Sequence, residues 1–368
     1  MSVIFEKASV LCYRMFDIAN EIHFEQLQSI LVEGTQRMRF TREGSQYIQL
    51  PNPPIGLELP PQTLKLKGQE LQVEAKARLF DHGAASVVLR VPLQSGMTLE
   101  QLVVLADELY DSAAVEKLAA ELVEGIRRQV SVALEGSHLW GQSESYTIVF
   151  AEQIAGNPTG QEVLEQADLA RLLLGEVNVR ALSARQKRDV TQAQFSYSED
   201  DLVVVDWNAA FVYEPSGSMD VPDILEVCNA QLLELRYYDD VLDGHIRSTY
   251  DALKGPRRRW PAIISSPYRT LLHRLQVTLL EMDEFTERVD NSLKIIGDFY
   301  LAKVYEAAVG RLRIPSWQAA VTRKQQMLGN VYQLLKGEVD TARSLALEFF
   351  VVGLIGLELL LAGLKIFR

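Results

Sequence analysis

Histidines, cysteines and carboxylates set the chemistry open to this chain. Five histidines stand at positions 23, 82, 138, 245 and 273, and no two have the separation of a metal-ligand pair. Asp81-His82 falls where a hairpin turn is expected and Asp243-Gly244-His245 inside a helical pattern, so both are read as solvated or structural. The acidic runs Asp239-Asp240 and Glu199-Asp200-Asp201 read as helix surface and turn. Phosphate-cradling glycine loops, the nucleophile elbow, the HExxH zinc motif and calcium loops are missing from the sequence. Cys12 and Cys228 lie far apart within apolar patterns, which excludes a disulfide framework and predicts two buried thiols. No catalytic residue, metal ligand or cofactor is assigned, and the expectation is a protein that is not an enzyme.

The carboxylates that stand out are Glu348 and Glu358. They interrupt Leu345–Phe367, LALEFFVVGLIGLELLLAGLKIF, which reaches the about 20 residues a helix needs to cross a bilayer. Eleven Leu, Ile, Val and Phe lie from Phe349 to Leu364. At roughly −0.4 kcal/mol each they give about −4.5 kcal/mol, against roughly 2.5 to 3.5 kcal/mol for a central acid. Insertion comes out weakly favourable, and an acid at that depth faces protein or water rather than lipid. Glu348, Glu358, Gly353 and Gly356 are therefore expected to pack against sister helices. The glycines permit close approach, although Gly353, Gly356 and Gly363 lack the i, i+4 small-residue spacing.

The elements that must position this tail follow from residue pattern. Residues 1–215 read as an α+β soluble domain, divisible at 1–140 and 141–215. Strand patterns occur at Val3–Tyr13, Tyr47–Leu50, Thr63–Lys67, Leu71–Leu79 and Ala85–Val91, followed by helices at Leu99–Tyr110 and Ala113–Leu134. A second pass gives a strand at Tyr146–Ala151, a helix at Gln161–Leu174, and strands at Gln194–Ser198 and Leu202–Tyr213 across a polar SEDD turn. Two such passes suggest a duplicated ferredoxin-like domain. From 219 to 344 the pattern is helical: Asp223–Leu253, then about Tyr268 to Val309, then Trp317 onward. Near-heptad apolar steps in the last two predict an antiparallel coiled-coil stalk, which feeds directly into a transmembrane helix at 345–367.

Helix lengths add one expectation. The third helix stands roughly 40 Å above the membrane and the second, antiparallel to it, spans roughly 60 Å. The loop before the second helix should then return to membrane level. Lys254, Arg257, Arg258, Arg259 and Trp260 in that loop are expected to touch lipid headgroups, as clustered basic residues with an interfacial Trp do.

The chain carries 49 acidic against 37 basic residues, net −12, which argues against binding bulk nucleic acid. Its 368 residues give room for two cores. The N-terminal MSVIFEKASVLCYRMF has neither a secretory nor a mitochondrial leader pattern, so the soluble part is expected in the cytoplasm with one C-terminal span in the inner (plasma) membrane.

The tail motif resembles the required-for-meiotic-nuclear-division family, also called YagE-like or sporulation-type. The residues that carry it are Leu347-Glu348-Phe349-Phe350-Val351-Val352, Leu354-Ile355 and Glu358-Leu359, with Val321–Ser344 as a pre-membrane helix and Val205-Asp206-Trp207-Asn208 as a strand ending in a Trp turn. The resemblance covers roughly 160–368 and implies a membrane-anchored organising protein, oligomeric, with an unidentified protein partner. The reading reached is a tail-anchored homo-oligomeric scaffold in contact with membrane lipid. Two alternatives come from other classes. A CorA-type divalent-cation channel would need two spans and a Gly-Met-Asn signature, whereas this sequence offers one span and only Met327-Leu328-Gly329-Asn330. A soluble enzyme would bury the apolar C-terminal helix in its own core.

Overall fold

The computed structural model describes residues 3–30, 35–37, 48–49, 52–178, 182–254, 269–291, 294–295 and 299–366. The architecture is mixed α+β. These residues form two compact units, the first 1–237 with 288–317 and the second 238–287 with 318–368.

The first strand, Ile4–Asp17, organises the first unit. From Ala8 to Asp17 every residue is buried, including both alternating faces. A strand buried on both faces must sit centrally between two layers. It pairs antiparallel with Ser143–Ile154 on one side and Ala84–Pro92 on the other. Outward from Ala84–Pro92 come Gln69–Leu79, Ile55–Leu66 and Thr35–Arg37, all antiparallel. On the opposite side Ser143–Ile154 takes Ala209–Tyr213 as a parallel neighbour, then Leu202–Val205 and Gln194–Phe195. With Met97–Thr98 on the first strand, the described residues make one continuous sheet of ten strands. The parallel pair is reached through three short helices, Gly160–Gln166, Leu169–Leu174 and Ala184–Val190, as a parallel connection requires.

One face packs on Leu99–Tyr110 and Ala113–Gln129. Leu102, Val103, Ala106 and Leu109, then Val115, Ala119, Val123 and Ile126, fall at helical three-and-four spacing and enter a core with Val10, Cys12 and Phe16. Thr98 and Gln101 form a reciprocal cap that starts the first of these helices. Arg14, 1 % exposed, ties its end to the strand by donating to the carbonyls of Tyr13, Leu109 and Tyr110 at 2.8, 3.2 and 2.9 Å. The other sheet face carries Tyr13, and there Arg78 pairs with Asp223 at 2.6 Å and with Glu226 from the helix Asp220–Lys254.

The second unit is helical. It holds the later part of Asp220–Lys254, most of Arg269–Asn291, and Ile314–Ile366 beyond Trp317. Lys324 bridges Asp239 and Asp243 at 2.8 and 2.6 Å, and Thr278 Oγ1 lies 3.2 Å from His245 Nε2. Val321, Leu328, Leu335 and Val339 are buried at steps of about seven residues or four, a stripe that faces neighbouring helices.

Several expected elements differ; the helix expected over Gln161–Leu174, for one, is two, Gly160–Gln166 and Leu169–Leu174. The helix expected over Tyr268–Val309 is two, Arg269–Asn291 and Phe299–Arg311, and between them Lys294–Ile295 is a strand paired antiparallel with Ile48–Gln49, as suits a β-branched residue. The strand expected over Leu202–Tyr213 is a hairpin that turns at Asp206-Trp207-Asn208. Tyr146 Oη holds that turn by donating to the carbonyls of Asp206 and Ala209 at 2.9 and 3.1 Å. The helix begun at Ala113 ends at Gln129 rather than Leu134.

Candidate functional site

The C-terminal helix is one element of 53 residues, Ile314–Ile366. Its buried stripe stops at Val339, and from Leu347 to Leu361 the apolar residues are exposed all round the helix. Phe349, Phe350 and Leu359 are 68 %, 65 % and 69 % exposed. Among the described residues, one helix is long and apolar enough to span a bilayer, and none of its most apolar window is buried.

Glu348, Glu358, Gly353 and Gly356 all lie on this helix and all are exposed. At about 100° per residue, Gly353 and Gly356 lie within about 60° of each other and Glu358 falls on roughly the opposite side, while Glu348 lies between, about 80° from both Gly356 and Glu358. The four residues therefore do not form one contact stripe. Space within 4 Å of an added Cβ is empty at both glycines. Neither glutamate has a hydrogen-bond or ion-pair partner among the described residues. Of the expected headgroup residues, Lys254 is the last residue of its helix, whereas Arg257, Arg258, Arg259 and Trp260 lie outside the described residues.

Sequence spacing missed a second constellation, at one end of the sheet, where three of the histidines converge. The pair Glu21–Ile22 and Leu134–Glu135 sets Glu21 directly across from Glu135. His23 follows, with Nε2 3.1 Å from Glu135 and Nδ1 3.4 Å from Glu21. These three side chains bring ligand atoms within 4.8 Å of one another and could hold a divalent cation. Gly136, φ +60, turns the chain immediately afterwards, and a Cβ there would meet the Asn20 side chain at 2.5 Å.

His138 sits beyond that turn. Its Nδ1 is 2.8 Å from the Gly136 carbonyl, which can only accept, and its Nε2 is 2.7 Å from the buried Asp17. Nδ1–H therefore donates to that carbonyl, and Nε2 faces the carboxylate. Burial opposes a charge on the ring, but the bond and charge of Asp17 outweigh it and hold the His138 pKa above its ordinary value. Tyr237 stacks on the ring at 5.0 Å and 14°. His82 lies on the adjoining turn, with Nδ1 3.3 Å from the Asp81 carboxylate. The signal in the sequence was local: Glu21-x-His23, Asp81-His82 and Glu135-x-x-His138 each put an acid within three residues of a histidine. What the sequence could not supply is the sheet that gathers three such turns.

On the other face, burial raises the Asp223 carboxyl to about 6, with Arg78 pulling it down and Glu226 pushing it up. These groups are enclosed, which suits them to holding the Asp220–Lys254 helix on the sheet rather than to meeting a substrate.

Comparison with known proteins places this chain by its first part. A family described as "Uncharacterized protein MJ0711, N-terminal domain" matches residues 7–220. A protein of Methanocaldococcus jannaschii, "Uncharacterized protein MJ0711", is 25 % identical over 179 residues, 48 % of this chain and 54 % of the relative. The match thus spans about half the length of that relative. No solved structure matches the chain. This overturns the resemblance to the required-for-meiotic-nuclear-division or YagE-like family. An apolar tail with two acids is a composition that many membrane-seeking helices share, whereas the family match covers residues 7–220 and names a different family.

Proposed function

We propose, for a chain that belongs to the MJ0711 N-terminal-domain family, the role of a membrane-attached organising protein that is not an enzyme. The C-terminal helix enters the inner (plasma) membrane, the sheet unit stays on the cytoplasmic side, and chains assemble with one another and with a protein partner. The finer readings of duplicated ferredoxin-like halves and a coiled-coil stalk belong to this same proposal. One observation carries it: from Leu345 to Leu361 the large apolar side chains are exposed all round a helix that continues without a break from a packed stripe. Exposed apolar surface of that extent marks a partner or lipid.

The faces of the helix sharpen the assembly. A glycine side and an acid side let one chain touch two different neighbours, one by close backbone approach and one through Glu358. The test is flotation of the full-length chain with liposomes. The wild type is expected at the top of the gradient after a carbonate wash, and Leu354→Asp with Leu357→Asp is expected to stay at the bottom. Retention of the double variant on liposomes, or absence of the wild type from them, would overturn the reading.

A further inference from the structure

A cavity of about 980 Å³ opens in the first unit beside the Asp206–Asn208 turn and the start of the C-terminal helix. Its volume falls in the range of small-molecule sites. Two indoles line it, Trp207 and Trp317. Trp207 is 66 % exposed, yet it stands on a turn fixed by Tyr146 Oη and by a bond of 2.9 Å from Asp206 N to the Ala209 carbonyl. A large apolar ring held on a fixed turn loses little freedom when a flat partner stacks on it.

The charges are unequal in their commitments. Arg236 pairs with Glu144 and sits 6.0 Å over the Trp317 ring. Arg311 is 3.7 Å from Asp206 and also donates to the Asp189 carbonyl. Asp189 in turn lies 3.9 Å from Arg185, outside the cavity. Each acid of the lining thus has a cation, and Arg313 is the lining cation whose side chain has no bond among the described residues. Arg313 also has φ 55, a left-handed conformation that glycine adopts without cost and a long side chain does not. The chain keeps an arginine in a strained place where it gains no internal bond.

We propose that this cavity binds a small, flat aromatic molecule bearing one carboxylate or phosphate, with the ring against the indoles and the anion on Arg313. Guanidinium recognises either anion by paired hydrogen bonds, and Trp stacks on any unsaturated ring. The site is independent of membrane attachment.

The test uses the full chain labelled with 5-fluorotryptophan, whose four tryptophans are Trp140, Trp207, Trp260 and Trp317. Fluorine NMR during titration with 2-naphthoate should shift the Trp207 and Trp317 signals saturably and leave Trp140 and Trp260 in place. The neutral 2-naphthamide should bind about tenfold more weakly, as loss of a charge-assisted pair implies. Arg313→Gly should melt no lower than the wild type, since the strain goes, and should remove the preference for the anion. Equal response to both probes, a response shared by all four tryptophans, or a preference that survives Arg313→Gly would overturn the assignment.

Discussion

Glu226 and Glu358 are the same side chain in opposite circumstances. Glu226 is 2 % exposed and lies against Arg78, with Asp223 on the same cation. Glu358 is exposed among apolar residues and has no partner among the described residues. In the sheet unit acids that are buried find partners within the chain: Asp223 and Glu226 share the Arg78 cation, and Asp201 accepts from Tyr197 N, Ser198 N and the Tyr300 hydroxyl. In the last helix neither Glu348 nor Glu358 has a partner among the described residues, and under the proposed function lipid and neighbouring chains meet that surface.

The largest expected effect breaks that contrast at the tail. Aspartate at Leu354 and Leu357 adds two charges, each costing roughly 2.5 to 3.5 kcal/mol at membrane depth, against a net insertion energy of about 1 to 2 kcal/mol. Liposome flotation should then change from bound to free.

Next in size is the sheet unit. Arg78→Met leaves Asp223 and Glu226 buried without a cation, and loss of one partner of a buried pair costs about 3 to 5 kcal/mol. Urea unfolding should show it, whereas Glu358→Leu should leave urea stability unchanged. If both variants destabilised equally, the contrast between the two glutamates would be wrong.

Smaller effects follow pH. The His138 pKa is raised in the folded state, so its contribution is complete below the ordinary 6.5 and is lost as pH rises through the folded value. Melting of His138→Gln against the wild type should therefore differ most near pH 6 and least near pH 9. Asp223 is likewise raised, to about 6, so the stabilisation from its protonated form is present below the ordinary 3.8 and fades as pH climbs past 6. Asp223→Asn should flatten the fall in melting temperature between pH 4 and 7; an unchanged slope would mean another group titrates there.

The smallest expected change separates the two faces of the tail. Gly356→Leu and Glu358→Leu should each alter oligomer size, measured by light scattering, and the double variant should show the sum of the two effects. A double variant no different from either single would place both residues in one contact.

Local pattern in the sequence reached the elements whose burial is one-sided or complete. Leu99–Tyr110 is a helix at its expected bounds because its apolar residues keep helical spacing and Thr98 caps it. The continuous run into Leu345 was likewise readable, as no proline or glycine pair breaks it. Asp206-Trp207-Asn208 carries turn-forming residues, yet the strand pattern runs through it because apolar runs flank it on both sides, Leu202–Val205 and Ala209–Tyr213. The histidine cluster was illegible for a different reason: Asp17, His82 and His138 meet only through the pairing of strands distant in sequence. The Arg313 site rests on a backbone angle, which no residue pattern announces.

The most direct test is a nitroxide attached at Leu354→Cys in the liposome-reconstituted full-length chain, read for collisions with oxygen and with a nickel chelate. Lipid exposure predicts strong relaxation by oxygen and almost none by nickel. Strong nickel relaxation, or protection from both, would put that helix in water or inside protein and contradict the account.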